Sequence, residues 1–333
     1  MKVLLYFEAE KLIQTSGIGR AFMHQKEALT KVGVEYTVDP KDNYDILHIN
    51  TVGPNSSFII SEAKKEGKKI VYHAHSTEED FRNSFVLSNT LAPLFKKYLI
   101  KLYSSADLIL TPTPYSKELI KNYGIKVPIQ DISNGIDLSR FVYNQDKVAA
   151  FRRYFGLSKD KKVVIAVGLY FERKGIIDFM KVAKELSDYQ FIWFGFTPLY
   201  SIPRHIQEAV KNHPDNVVLP GYVKGAVIEG AFMSADCFFF PSFEETEGIV
   251  VLEALAARQQ VLIRDIEVYN PWMVDKHNCY KADSVADFTT KLQAIVEKKL
   301  PSVSEAGYQT ATIKSIENVG LMLKTAYERV MEL

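Results

Sequence analysis

Short apolar runs alternate along the whole chain with stretches whose apolar residues recur every three to four positions. This alternation predicts an α/β architecture with parallel sheets, each helix crossing back between strands. A first series of strands is expected at 3–7, 34–38, 45–49, 69–75, 108–111 and 129–132. A second follows at 162–168, 190–196, 217–219, 237–240 and 260–263, with helices such as 175–186 and 284–297 between its strands. The polar segment 134–158, which holds Asn134-Gly135-Ile136-Asp137 and a short helix near 147–154, reads as the linker between them. Two doubly wound domains facing a cleft are therefore expected, over 1–150 and 151–314. The last helix, near 315–332, carries Val319, Met322, Leu323, Ala326 and Val330 at helical spacing and should rejoin the first domain.

Composition narrows the class. The 333 residues are 47% hydrophobic and 24% charged, which suits an ordinary globular chain of two domains. No apolar run approaches a bilayer span, and the opening 1–7 reads as a strand rather than a signal peptide, so the expected location is cytoplasmic. Cys237 and Cys279 have no metal-ligand spacing and are expected to be inert core thiols. A net charge of +1 argues against nucleic-acid binding, but the charge is unevenly spread. Between 81 and 126 the basic residues Arg82, Lys96, Lys97, Lys101, Lys117, Lys121 and Lys126 face only Asp107 and Glu118.

The candidate chemistry centres on 243–257, where Glu245 and Glu253 flank Gly248 and an apolar run. The segment 235–242 before it reads as a buried strand and 250–257 as a helix, so both carboxylates fall at the carboxyl end of a parallel strand, where open sheets bind ligands. A helix start there also offers free N–H groups to an anion. For a lone glutamate pair, a solvated surface loop remains the competing reading. The same duality holds for Gly17 and Gly19, a tight turn or a close backbone approach to a ligand, and for Arg173-Lys174, a solvated helix start or a phosphate contact. His75 ends an apolar strand at the crevice and is either a satisfied core histidine or a sugar-hydroxyl contact.

Taken together, Gly17-Ile18-Gly19-Arg20, His73-Ala74-His75, Asn134-Gly135-Ile136-Asp137, Val167-Gly168-Leu169, Arg173-Lys174-Gly175 and the Glu245…Glu253 pair resemble the retaining glycosyltransferases of family 4, which have two Rossmann-like domains in the GT-B fold. The resemblance implies that Glu253 binds the nucleotide ribose, that Glu245 contacts the donor sugar and that the backbone of Gly248, Ile249 and Val250 holds the diphosphate. It assigns His75 and Glu245 to catalysis. Gly17, Gly19, Arg20, Arg173 and Lys174 join the donor site. No cofactor and no metal are expected, since the chain has no Asp-x-Asp and helix N-termini with Lys174 would neutralise the leaving diphosphate. Two departures stand out. Leu169 occupies a position where the family commonly places arginine, and Thr246-Glu247 replaces a glycine–aromatic pair, a change expected to bear on donor-sugar choice.

The wording around Glu244-Glu245-Thr246-Glu247-Gly248 is similar to Gram-positive synthases of diacylglycerol glycolipids. That implies UDP-glucose or UDP-galactose as donor, a lipid acceptor such as monoglucosyl-diacylglycerol, and a peripheral place on the inner face of the plasma membrane. A polyprenyl-linked or soluble glycan is the alternative acceptor, and a non-catalytic nucleotide-sugar-binding subunit the alternative class. Leu87, Leu91, Leu94, Phe95, Tyr98 and Leu102 fall on one helical face flanked by Lys96, Lys97 and Lys101, the pattern of a helix lying on anionic lipid or of a core helix with solvated lysines. Pro93 is expected to start or kink that helix, leaving 93–103 as its continuous part.

Overall fold

The computed structural model describes residues 1–8 and 16–333. Two six-stranded sheets, every neighbouring pair parallel, organise the chain. In chain order the first contains β1 (Lys2–Tyr6), β2 (Glu35–Thr37), β3 (Ile46–Ile49), β4 (Lys69–His73), β5 (Leu108–Thr111) and β6 (Ile129–Asp131). The second contains β7 (Val163–Val167), β8 (Gln190–Phe194), β9 (Val217–Gly221), β10 (Cys237–Phe240), β11 (Val261–Arg264) and β12 (Tyr280–Ala282). Their spatial orders are β2-β1-β3-β4-β5-β6 and β12-β11-β10-β7-β8-β9. Each order reverses direction beside its first strand, the doubly wound arrangement in which both sheet faces are covered by helices. This explains why β3, β5, β10 and β11 are apolar and buried at every position apart from His48, Thr111 and Arg264.

The terminal helix Ile316–Glu332 packs against the Gly17–Lys31 helix, and its Val319, Leu323, Ala326, Tyr327 and Val330 complete the first domain's core. The linker helix Gln145–Tyr154 instead packs on Ala226–Ser234, and Phe141 and Phe151 join the second domain's core. The chain thus crosses between the domains twice, near Asn134 and near Lys314. The two crossings are stitched together: Ile136 N donates to Lys314 O and Ile316 N to Ile136 O, both at 3.0 Å.

Three expectations are corrected. β12 has too short an apolar run to stand out in the sequence and is held by pairing with β11. The helix Ser88–Tyr103 runs through Pro93. Proline removes only the bond to the carbonyl of Asn89, which is exposed and can take solvent instead. The helix expected at 250–257 spans Ile249–Ala256, which puts Glu253 about one turn from its start.

Candidate active site

The strand β10 ends at Phe240, and the loop 241–248 delivers Glu245 to the domain interface before Gly248 starts the next helix. Gly248 has φ +86°, a conformation that favours glycine, and a Cβ there would crowd the Tyr269 hydroxyl at 3.0 Å. Glu245 is buried and accepts from Lys174 Nζ at 2.5 Å and from Ser242 Oγ at 2.7 Å. Burial pulls the Lys174 ammonium below its ordinary value, opposed by the charge of Glu245. Lys174 is placed there by the sharp turn at Gly175, whose φ is +76° and where a Cβ would lie 2.2 Å from the Pro241 carbonyl oxygen.

Glu253 is also buried. Its Oε1 lies 3.6 Å from Arg20 Nε and 3.9 Å from Arg140 Nη1. Burial raises its carboxyl above the usual range, and the two arginines oppose that shift. Arg20 belongs to the first turns of the Gly17–Lys31 helix, so this contact sets the N-terminal end of that helix beside the second domain's helix Ile249–Ala256. The glycine pair is therefore a helix start: Ser16 Oγ accepts from Gly19 N at 3.3 Å, and a Cβ on Gly17 would meet nothing within 4 Å.

Arg173 is spoken for by the opposite domain. Its Nη1 lies 2.9 Å from Asp80 Oδ1 and its Nε donates to Ser84 Oγ at 2.8 Å, while Nη1 also donates to the Glu244 carbonyl at 3.2 Å. Leu169 lies half-buried against the second domain's core. Among the described residues, the cations gathered around the two glutamates are thus Lys174, Arg20 and Arg140. Arg140 was not singled out by sequence, because a lone arginine in a polar linker carries no motif.

His75 lies just beyond β4, its ring stacked on His73 with centroids 4.0 Å apart. Its Nε2 is 3.1 Å from Asn50 Oδ1, which also accepts from Gln25 Nε2 at 2.7 Å. Gln25 Nε2 in turn lies 2.8 Å from His73 Nδ1. Behind them His48 Nδ1 meets the Tyr327 hydroxyl at 2.6 Å, and His24 Nδ1 meets Gly135 O at 2.8 Å. Burial lowers all four histidines, His24 to about 4, His48 and His75 to about 3, and His73 well below its ordinary value. They are therefore neutral near pH 7, and with its Nε2–H directed at Asn50 Oδ1, His75 can accept from a hydroxyl at the other ring nitrogen without adding charge.

On the helix Ser88–Tyr103 the expected apolar face divides. Leu99, Leu102 and Tyr103 are core, and Tyr98 donates from its hydroxyl to Gly53 O at 2.7 Å. Phe95 is half-buried and stacks on Phe81. Leu87, Leu91 and Leu94 are exposed at 66%, 46% and 63%, continuing from exposed Phe85 and Val86. Lys97 and Lys101 are exposed, whereas Lys96 pairs with Glu78 at 3.1 Å and lies over the Tyr123 ring. Arg82 and Lys117 likewise find carboxylates outside the basic window, Glu78 and Asp131.

Two doubly wound domains meeting over such a cleft form the GT-B architecture of glycosyltransferases. The solved structure of Anabaena HepE in complex with UDP and glucose matches with TM-score 0.79 at 14% identity, over 98% of this chain and 99% of that one. Sucrose-phosphate synthase from Thermosynechococcus elongatus matches with TM-score 0.81 at 15% identity, over 100% and 99%. In sequence, residues 38–140 match the family profile described as Glycosyltransferase Family 4, and residues 161–298 the one described as Glycosyl transferases group 1. The processive diacylglycerol alpha-glucosyltransferase of Acholeplasma laidlawii is 47% identical, across 100% of this chain and 99% of that protein. The alpha-galactosylglucosyldiacylglycerol synthase of Streptococcus pneumoniae is 26% identical over 68% of this chain and 61% of its own length. The chain belongs to glycosyltransferase family 4.

Proposed function

We propose that the protein transfers glucose or galactose from a UDP-sugar, with retention of configuration, to a diacylglycerol-based membrane lipid such as monoglucosyl-diacylglycerol. The full-length likeness to a diacylglycerol alpha-glucosyltransferase carries this reading. The glutamates at 245 and 253 with their cations give it a physical basis. In this reading Glu253 binds the ribose, the amides of Ile249 and Val250 with Gly248 meet the diphosphate, and Lys174 and Arg20 supply cationic charge as the leaving group departs. Glu245 sits where positive charge develops on the sugar, and the leaving phosphate takes the acceptor proton. No cofactor or metal takes part. Radiolabelled UDP-glucose and UDP-galactose, offered with acceptor lipid in vesicles and with EDTA present, should yield organic-extractable label from at least one donor. Label confined to water-soluble products, or appearing only after magnesium is restored, would overturn this.

The acceptor demands contact with a membrane, and the reading places that contact at the exposed leucines 87, 91 and 94 with Lys97 and Lys101. Among the described residues no helix is long and apolar enough to cross a bilayer, so attachment is proposed to be peripheral, on an anionic inner leaflet. Because Lys96 supports the fold, the informative variant is Lys97→Glu/Lys101→Glu. Wild type should co-sediment with anionic vesicles, the variant should bind several-fold less, and salt should weaken wild-type binding. Equal binding by both proteins would remove these lysines from the interface.

A further inference from the structure

We propose that Glu247 is a positioning residue: it ties the loop carrying Glu245 to both interdomain crossings, so that the relative setting of the domains fixes the geometry of sugar transfer. The inference rests on the donor-side reading of Glu245.

Glu247 is fully buried, a costly place for a carboxylate unless every lone pair is used. Its donors come from the two places where the chain passes between domains. From the first crossing, Ser133 Oγ donates to Oε1 at 2.5 Å, and Asn134 gives Oε2 both its backbone N–H at 2.9 Å and its Nδ2 at 2.8 Å. From the second, Lys314 Nζ reaches Oε1 at 3.2 Å. These are the segments already stitched together through Ile136, Lys314 and Ile316.

The neighbouring residue adds a third tether. The Thr246 carbonyl accepts from Thr113 Oγ1 at 2.8 Å and from Ser116 Oγ at 2.9 Å, both at the start of the first domain's helix Pro114–Asn122. Three consecutive residues are therefore held by three different walls: Glu245 by Lys174 and Ser242 of its own domain, Thr246 by the first domain, and Glu247 by the crossings. Gly248 follows at once and opens the helix that carries Glu253. A shift of either domain about the crossings must pull on this loop and move Glu245. A phenylalanine at 247 could accept none of these hydrogen bonds.

Glu247→Gln keeps an acceptor for Asn134 but removes the charge opposite Lys314, and Glu247→Ala removes every link. Calorimetry with UDP alone and initial rates with UDP-glucose and lipid acceptor vesicles separate binding from transfer. Expected is a kcat loss of about tenfold in Glu247→Gln and more in Glu247→Ala, with the UDP Kd within about threefold of wild type in the folded fraction. Should Glu247→Ala fail to fold, Ser133→Ala and Asn134→Ala each cut part of the link from outside the donor loop, and both should lower kcat while sparing UDP affinity. Wild-type kcat in all folded variants, or kcat and UDP affinity falling together, would overturn the proposal. Failure of wild type itself to bind UDP would instead defeat the donor reading.

Discussion

Lys174→Ala and Glu253→Ala are each expected to lower kcat/KM for the UDP-sugar by about ten- to hundredfold, the value of one charge-assisted contact at about 1.5–3 kcal/mol. The two should differ in stability. Glu253→Ala leaves Arg20 and Arg140, which remain partly open to water, so its Tm should stay near wild type. Lys174→Ala leaves Glu245 buried with Ser242 as its one side-chain partner among the described residues, so its Tm should fall, and rates must be compared well below that transition. Near wild-type kcat/KM in both variants would show that neither group meets the donor.

Acid should unfold this protein early. The sign follows from the histidines: His24, His48, His73 and His75 have folded-state values depressed below the unfolded value of about 6.5, so below that pH the unfolded chain takes up protons that the folded one refuses. Their contribution is intact above about pH 6.5 and declines as pH falls toward the folded-state values near 3 to 4. At pH 5 a histidine whose folded-state value lies near 3 to 4 costs on the order of 2 kcal/mol, a large loss against a usual total of about 5–15 kcal/mol. Glu253 works in the opposite sense, because burial raises its carboxyl. Glu244, pushed up to about 8 by burial, acts in that same opposing sense, because between about pH 8 and its unfolded value of about 4.5 the folded chain holds a proton that the unfolded chain has released, which offsets part of the histidine loss. Thermal melts at about pH 7.5 and pH 5 are the check, with a marked fall in Tm expected at the lower pH. An unchanged Tm would mean that the cluster accepts protons in place.

Much of this was legible in the chain. The strand periodicity, the return of the last helix and the strand–loop–helix frame that carries Glu245 and Glu253 all follow from local patterns, because a buried parallel strand and a helix start each leave a signature several residues long. What was hidden depends on residues far apart in sequence. Arg140 beside Glu253, Asp80 and Ser84 around Arg173, and Asn50 between Gln25 and His75 each carry no motif of their own. The basic window misled in part, since counting charges within 81–126 omits Glu78 and Asp131, which pair with Arg82, Lys96 and Lys117. Glu247 was visible as a departure from the family pattern. Only the fold shows that its partners are the two crossings.

The most direct test of retaining transfer to a membrane glycolipid is proton NMR of the lipid product, purified after incubation with the UDP-sugar that labels it. The account predicts a newly formed α-glycosidic linkage on a diacylglycerol-based lipid. A β-linked glycolipid, or a product whose new sugar sits on no lipid at all, would contradict it.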